Sequence, residues 1–353
     1  MPPIPAKPLS QIRASTVRWL CDRYLQRGRL ALLDGDPGVG KSLISIDLAA
    51  RLSRGEGFLG GSPPERPQVT ILLGAEDNTA DIVRPRAEAA GADLDRVIAI
   101  DESDRVPLYF PESMQYLEEL ICLHAADLVV IDPIVAFLSQ KAAANLDQCV
   151  RRALGPLAAM AARTDCAILL VRHLRKAEGG RAIHRGGGSI GFIASARTGL
   201  FAAWHPAEKG LGVLSVSKAN ARSPAESQGY RFKTDNQGRP ALEWTGPVPL
   251  SANDLNQSLQ GPVRLREAAS AWLQAELSRG PRKASDLLAA AAAAGIPERT
   301  LRRAKDAARI GSKKHYVKDR PEWYWYDPQC EWPKSAPFKR PTPGLDLDLD
   351  IFD

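Results

Sequence analysis

The chain has 353 residues, 44% of them apolar and 25% charged, with a formal net charge of +6. That length predicts one large and one small domain, and the apolar share supplies a proper core. No apolar run approaches the roughly 20 residues that cross a bilayer, and the five cysteines are scattered without a C-x-x-C pair, which argues against a membrane protein, a disulfide framework or a zinc site.

Residues 1–14 are Pro-rich and lack an apolar signal core, so they read as a disordered lead-in to a cytoplasmic protein. Val17 to Leu25 is a short apolar lead-in, either an edge strand or a helical turn. Leu30 to Leu33 reads as a buried strand. It runs into Gly35-Asp36-Pro37-Gly38-Val39-Gly40-Lys41-Ser42, which fits G-x-x-x-x-G-K-[ST]. The glycines let successive backbone N–H groups turn inward around phosphate oxygens. Lys41 reaches the β- and γ-phosphates, and the Ser42 hydroxyl suits Mg²⁺. Leu43 completes this nucleotide-binding set and opens a helix, to Arg54, whose N-terminus faces the phosphates.

Val69 to Gly74 is a second buried strand. It ends at Glu76 and Asp77, where an open α/β sheet places its ligands. Glu76 is placed to orient and deprotonate a water facing the γ-phosphate. Asp77 or Asn78 would cap a helix running on to Ala90. Arg96 to Ile100 is a strand and Pro111 to Leu123 a helix. Leu128-Val129-Val130-Ile131-Asp132 is a strand that delivers one carboxylate beside the Mg²⁺ shell. Asn145 to Arg163 has helical periodicity. Ala167 to Val171 is a strand, and His173 at its end is placed to sense the γ-phosphate.

The stretch from Ala177 to Gly188 is Gly-rich and basic, so it reads as a mobile loop, with Arg181 and Arg185 suited to a phosphodiester backbone. Ile190 to Ala203 returns to apolar structure. Gly212 to Ser217 is a strand ending at Lys218 and Arg222, which would complete a neighbouring subunit's ATP site as fingers supplied in trans. Strands alternating with helices predict an α/β fold, a mostly parallel sheet with helices on both faces. Phe232 and Leu242 flank a closing hairpin, and residues 246–262 read as a linker.

The small C-terminal domain, residues 263–330, is expected to be helical with a closing hairpin. Residues 261–340 carry 17 Lys and Arg against 9 Asp and Glu. A Gly295 turn joins two short helices, the second presenting Arg299, Arg302, Arg303, Lys305 and Arg309. Tyr316 to Tyr326 reads as a hairpin, or wing, so the domain is predicted to bind DNA through phosphates. Residues 331–353 form a flexible acidic tail. Its Leu/Asp alternation suits docking on a partner protein, or lying on the chain's own basic surface in competition with DNA.

These motifs resemble the RecA-like ATPases of the RepA type, hexameric plasmid and phage replicative helicases related to the DnaB and KaiC groups. The resemblance spans about residues 15–235, within an ATPase domain expected over 15–245, and the C-terminal domain is similar to winged-helix domains appended to such ATPases. It implies a ring with ATP and Mg²⁺ between subunits, Lys41 and Ser42 on phosphate and metal, Glu76 as base and Asp132 in the Mg²⁺ water shell. It further implies His173 as sensor and the glycine-rich loop on DNA inside the ring. The sequence departs at one position: Asn220 stands where related helicases often carry the second residue of a Lys-x-Arg pair, and Arg222 follows two residues later. Two functions are expected from this pattern, a DNA-stimulated helicase or loader of a mobile element, or an ATP-switched DNA-binding regulator that unwinds nothing.

Overall fold

Short apolar runs in which both alternating sets of side chains are buried dictate the architecture. The structure is a computed structural model that describes residues 7–100, 108–139, 146–174, 190–317 and 320–328. A small hairpin, β1 (Trp19–Cys21) and β2 (Leu25–Gln26), leads into β3 (Leu30–Gly35). This settles the lead-in as a strand pair. In β3, Leu30 and Leu32 face one core while Ala31 and Leu33 face the other. A strand buried on both faces belongs in the middle of a layered α/β sheet.

From β3 the chain alternates: α1 (Lys41–Ser53), β4 (Thr70–Gly74), α2 (Arg84–Ala89), β5 (Val97–Ala99), α3 (Met114–His124), β6 (Leu128–Asp132), α4 (Leu146–Thr164), β7 (Ala167–His173), α5 (Ile190–Ser195) and β8 (Thr198–Trp204). Three further strands, β9 (Gly212–Ala219), β10 (Ser227–Thr234) and β11 (Pro240–Val248), complete a nine-stranded sheet. Its order is β11-β10-β9-β8-β3-β7-β6-β4-β5. The segment from β8 to β5 is parallel throughout, and β9 to β11 add antiparallel. One core lies between the sheet and α1, with Ile44, Leu48 and Leu52 against Leu33, Leu72 and Val130. The other lies under α3 to α5, where Leu117, Leu154, Leu157 and Phe192 meet Leu32, Ile71 and Ile131. The mostly parallel sheet with helices on both faces is therefore present.

Two boundaries differ from the sequence-based expectation. The helix expected from Thr79 to Ala90 opens with a π-helical turn, Thr79–Val83, before α2 begins. Asn78 caps it, its side chain accepting from the Ala80 and Asp81 amides. Residues 246–262, read as a linker, contain the end of β11 and the first part of a long helix, α6 (Ala252–Leu277). The Gly261-Pro262 pair lowers helix propensity locally, yet α6 runs through it, and Leu255, Ala269 and Leu273 on this helix are buried.

Contacts divide the chain into two units, Met1–Asn256 and Gln257–Asp353. The second unit contains the rest of α6, β12 (Arg282–Lys283), α7 (Ala284–Ala293), α8 (Glu298–Ala307) and the hairpin of β13 (Gly311–Val317) and β14 (Arg320–Tyr326). The three strands form an antiparallel sheet in the order β12-β14-β13. Trp272, Leu273, Leu287, Leu301 and Trp325 make its own core. The hairpin is longer than the sequence implied because Gly311 to His315, polar on their exposed side, pair regularly with Tyr326 to Glu322. No helix among the described residues is long and apolar enough to cross a membrane.

Candidate nucleotide site

The parallel strands β3, β4, β6 and β7 all end at the same edge of the sheet. Gly35 at the end of β3 pairs with His173 at the end of β7, and Gly74 at the end of β4 pairs with Asp132 at the end of β6. With β7 lying between β3 and β6, the residues following these strands converge on the N-terminus of α1. Gly38 and Gly40 have φ of 79° and 92°, the left-handed region that lets the loop wrap its amides inward. Gly40 is the N-terminal flank of α1, so the first helical amides open toward the loop.

Lys41 is buried, and its Nζ donates to the Gly35 and Asp36 carbonyls at 2.8 and 2.9 Å. Burial lowers the Lys41 pKa, opposed by the carboxylates of Asp132, Asp36, Asp34 and Glu76. The Ser42 hydroxyl donates to Asp132 Oδ2 at 2.7 Å. Burial raises the Asp132 pKa, opposed first by that Ser42 hydrogen bond and then by His173 and Lys41. His173 Nε2 lies 3.4 Å from Glu76 Oε2, joining the two residues proposed as sensor and base. His173 Nδ1 is buried without a hydrogen-bond partner among the described residues. Glu76 is exposed at the mouth of a cavity of about 320 Å³ that Ser42, Asp132, Leu72, Val130 and Phe137 also line. Asp77, beside it, is paired with Arg86 at 2.6 Å.

The Ser42–Asp132 pair is chemically suited to Mg²⁺, a hard cation that takes one or two protein oxygens together with water and phosphate. Among the described residues no group of three or more His, Cys, Asp or Glu side chains could hold a metal by itself. That donor set matches an ion brought in with a nucleotide.

Two residues at this edge escaped the sequence reading. Asp34 and Arg172 form a bidentate ion pair, Nε to Oδ1 at 2.8 Å and Nη2 to Oδ2 at 2.7 Å, and both are buried. Burial raises the Asp34 pKa, opposed by Arg172. The Arg172 guanidinium also lies over the Phe192 ring, 4.9 Å from its centroid. Each residue immediately precedes a site residue, Gly35 or His173, so the pair locks the phosphate loop to the His173 strand. The signal was a charge inside each of two otherwise apolar strands.

The remaining residues singled out in the sequence lie elsewhere or beyond description. Lys218 Nζ donates to the Ile193 and Ala194 carbonyls at 2.6 and 3.4 Å, at the end of α5. Its pKa is lowered by burial and by Arg197. Arg222 pairs with Asp22 at 3.2 Å, beside β1. Neither touches the loop of its own chain. Arg181, Arg185 and the rest of the glycine-rich loop, and the tail 331–353, lie outside the described residues. On α8, Arg299, Arg302 and Arg303 are exposed, with Arg302 Nε donating to Glu298 at 2.8 Å. Lys305 lies over Trp325, 5.4 Å from the ring centroid. Leu301 and Ala304 face the core, as the spacing implied.

A family model described as an AAA domain matches residues 5–179. That span contains the loop, Glu76, Asp132 and His173. The match lies within the N-terminal unit, which carries the phosphate loop on a mostly parallel sheet with helices on both faces, a RecA-like architecture. Among solved structures, a KaiC-like protein from the hyperthermophilic archaeon Pyrococcus horikoshii OT3 is similar at 14% identity and a TM-score of 0.45, over 64% of this chain and 99% of that one. No curated protein matches the chain significantly. That match supports a nucleotide as the class of ligand.

Proposed function

We propose that this protein is a DNA-stimulated, ring-forming ATPase, a replicative helicase or helicase loader of a plasmid, phage or integrated element, working in the cytoplasm. The observation that carries the reading is the convergence of Lys41, Ser42, Asp132, Glu76 and His173 on one sheet edge. Lys41 would leave the Gly35 and Asp36 carbonyls for the β- and γ-phosphates. Ser42 and Asp132 would hold Mg²⁺, directly and through water, and the ion would supply charge neutralisation at the β–γ bridge. Glu76 would take a proton from the attacking water as the oxygen–phosphorus bond forms and ADP departs. His173, in reach of Glu76, would report the γ-phosphate to the loop that follows β7.

The DNA side of the reading rests on α8. Its exposed arginines have the charge and spacing for phosphate contacts, and the helix-turn-helix with its hairpin supports a winged-helix domain. Lys218 or Arg222 would serve a neighbour's site in a hexamer. For Lys218 this requires release from the α5 carbonyls, and for Arg222 release from Asp22. The test is ATPase turnover with and without single-stranded DNA, run beside strand displacement on one preparation. Stimulation with displacement supports a motor. Stimulation without displacement supports the second reading, a nucleotide-switched DNA-binding regulator. No turnover with Mg²⁺ and ATP would overturn the ATPase on which the motor rests.

A further inference from the structure

The cavity at the strand ends extends beyond what a triphosphate needs. The loop residues Gly38, Val39, Gly40 and Lys41 do not line it. It reaches from Ser42 and Asp132 to Ala99 and Ile100 at the end of β5, with Ile46, Leu72, Val130 and Phe137 among its walls. Its volume of about 320 Å³ falls in the range of small-molecule pockets. Protein interiors hold few voids larger than a water molecule, so an apolar-walled void of this size argues for an occupant.

Two backbone features keep it open. Gly74 lines it, and a Cβ built there would meet nothing within 4 Å. The π-helical turn Thr79–Val83 adds Thr79 and Val83 to the wall. Thr79 Oγ1 ties that turn to the end of β5 by donating to the Ile100 carbonyl at 3.3 Å. Turns of this kind recur at functional sites.

The polar lining says what the occupant carries. Its charged members are Glu76, Asp77 and Asp132, and none of the described residues lining the cavity is Lys, Arg or His. An anion is repelled from such a space, and a cation is drawn into it. Asp77 is paired with Arg86, and the Ser45 hydroxyl donates to the Ser42 carbonyl at 2.9 Å. Glu76 and Asp132 are the carboxylates left to meet a ligand, and Ser42 takes one oxygen of Asp132. A ligand that matches this lining has an apolar body and one positive end.

We propose that this cavity is a second binding site, for a small organic monocation such as an arylalkylamine. Its ammonium pairs with Glu76 and Asp132, and its body fills the apolar part. Bound there, it stands where the attacking water and the Mg²⁺ shell would meet those carboxylates, so it holds turnover back without touching the loop. The inference goes beyond the nucleotide reading, which leaves the apolar part of the cavity unused.

The experiment is a saturation-transfer NMR titration of the full chain, without nucleotide, with three probes of one shape: 3-phenylpropylamine, 3-phenylpropanol and 3-phenylpropionate. The amine should bind with a Kd on the order of 1 mM, as suits a ligand of its size. The alcohol should bind about tenfold more weakly, for want of the charged hydrogen bond, and the acid should not bind. Gly74→Leu and Ala99→Leu fill the space from two different walls, and each should abolish amine binding while the near-UV circular dichroism of the fold is kept. Glu76→Gln, an exposed and nearly isosteric change, should shrink the advantage of the amine over the alcohol, and an undiminished advantage would overturn the placement of the cation. No amine binding up to about 10 mM, equal binding of the acid, or wild-type amine affinity in both filled variants would overturn the site. Titration of Mg²⁺ and ADP into the same chain separates the two readings: its failure would overturn the nucleotide site and leave the amine result standing.

Discussion

The phosphate-loop edge of the first unit and the basic face of α8 in the second are both rich in charge, and they handle it in opposite ways. At the loop, charges are buried or half-buried and bonded: Lys41 to two carbonyls, Asp132 to Ser42, Asp34 to Arg172. On α8, Arg299, Arg302 and Arg303 stand in solvent. A buried charge is held at one position by its partners, and losing a partner strands the other in low dielectric. An exposed arginine costs the fold little and acts through the field it presents. The first arrangement suits chemistry at a fixed point. The second suits a partner recognised mainly by charge.

The largest effect expected from this contrast is at Arg172. Arg172→Leu leaves Asp34 buried without its guanidinium and should cost about 3–5 kcal/mol, read as a lowered urea midpoint of the first unit. The double variant Asp34→Leu/Arg172→Leu should recover much of it, because a well-packed apolar pair often replaces a buried ion pair without loss. If the single variant unfolds at the wild-type midpoint, the buried-pair side of the comparison fails.

Next in size is Glu76→Gln. The amide still orients water but accepts no proton, so turnover should fall about 10²–10⁴-fold while ADP affinity in calorimetry stays at wild type. Turnover at the wild-type rate would move the base elsewhere.

On α8, replacing Arg302 or Arg303 with Ala should shift unfolding by less than about 0.5 kcal/mol. DNA affinity should still drop, and the slope of log K against log salt should become shallower by about 0.9 for each phosphate the helix no longer neutralises. An unchanged slope would detach α8 from DNA.

The smallest effect sharpens the electrostatic side. Burial raises the Asp132 pKa, so over the window between its ordinary and its raised value the folded chain binds a proton that the unfolded chain has released. Stability is then lost as pH rises through that window, and above it Asp132 is a net cost in the absence of a cation. Asp132→Asn keeps an oxygen for Ser42 and removes the charge. Its thermal midpoint at neutral pH without Mg²⁺ should be no lower than wild type, while Mg²⁺-dependent ATPase activity is lost.

The legible part of the site was the part that is local in sequence. Gly35 to Ser42 declares itself because one loop needs glycines, a lysine and a hydroxyl at fixed spacing. Glu76, Asp132 and His173 were readable once their apolar strands were recognised, since a parallel sheet brings strand ends to one edge. Asp34 and Arg172 were not, because their partnership spans 138 positions and only the neighbouring of β3 and β7 creates it. The same is true of the Tyr230 hydroxyl, which donates to the Val39 carbonyl 191 positions away. The extent of α6 escaped for another reason: Gly261 and Pro262 carry a strong local signal for an interruption, and the helix runs through them.

The neighbours of β3 have a consequence for where this chain can be cut. One side of β3 is paired with β7, inside the family match, but the other is paired with β8, which begins at Thr198. The indole of Trp244 on β11 also donates to Asp47 of α1 at 2.8 Å. A fragment ending at residue 179 would thus turn the strand beneath the phosphate loop into a raw sheet edge, with its amides and carbonyls unpaired and α1 stripped of its outer cover. The recognisable stretch of ancestry is shorter than the piece that can stand alone. The smallest autonomous version of this domain has to run on through Val248.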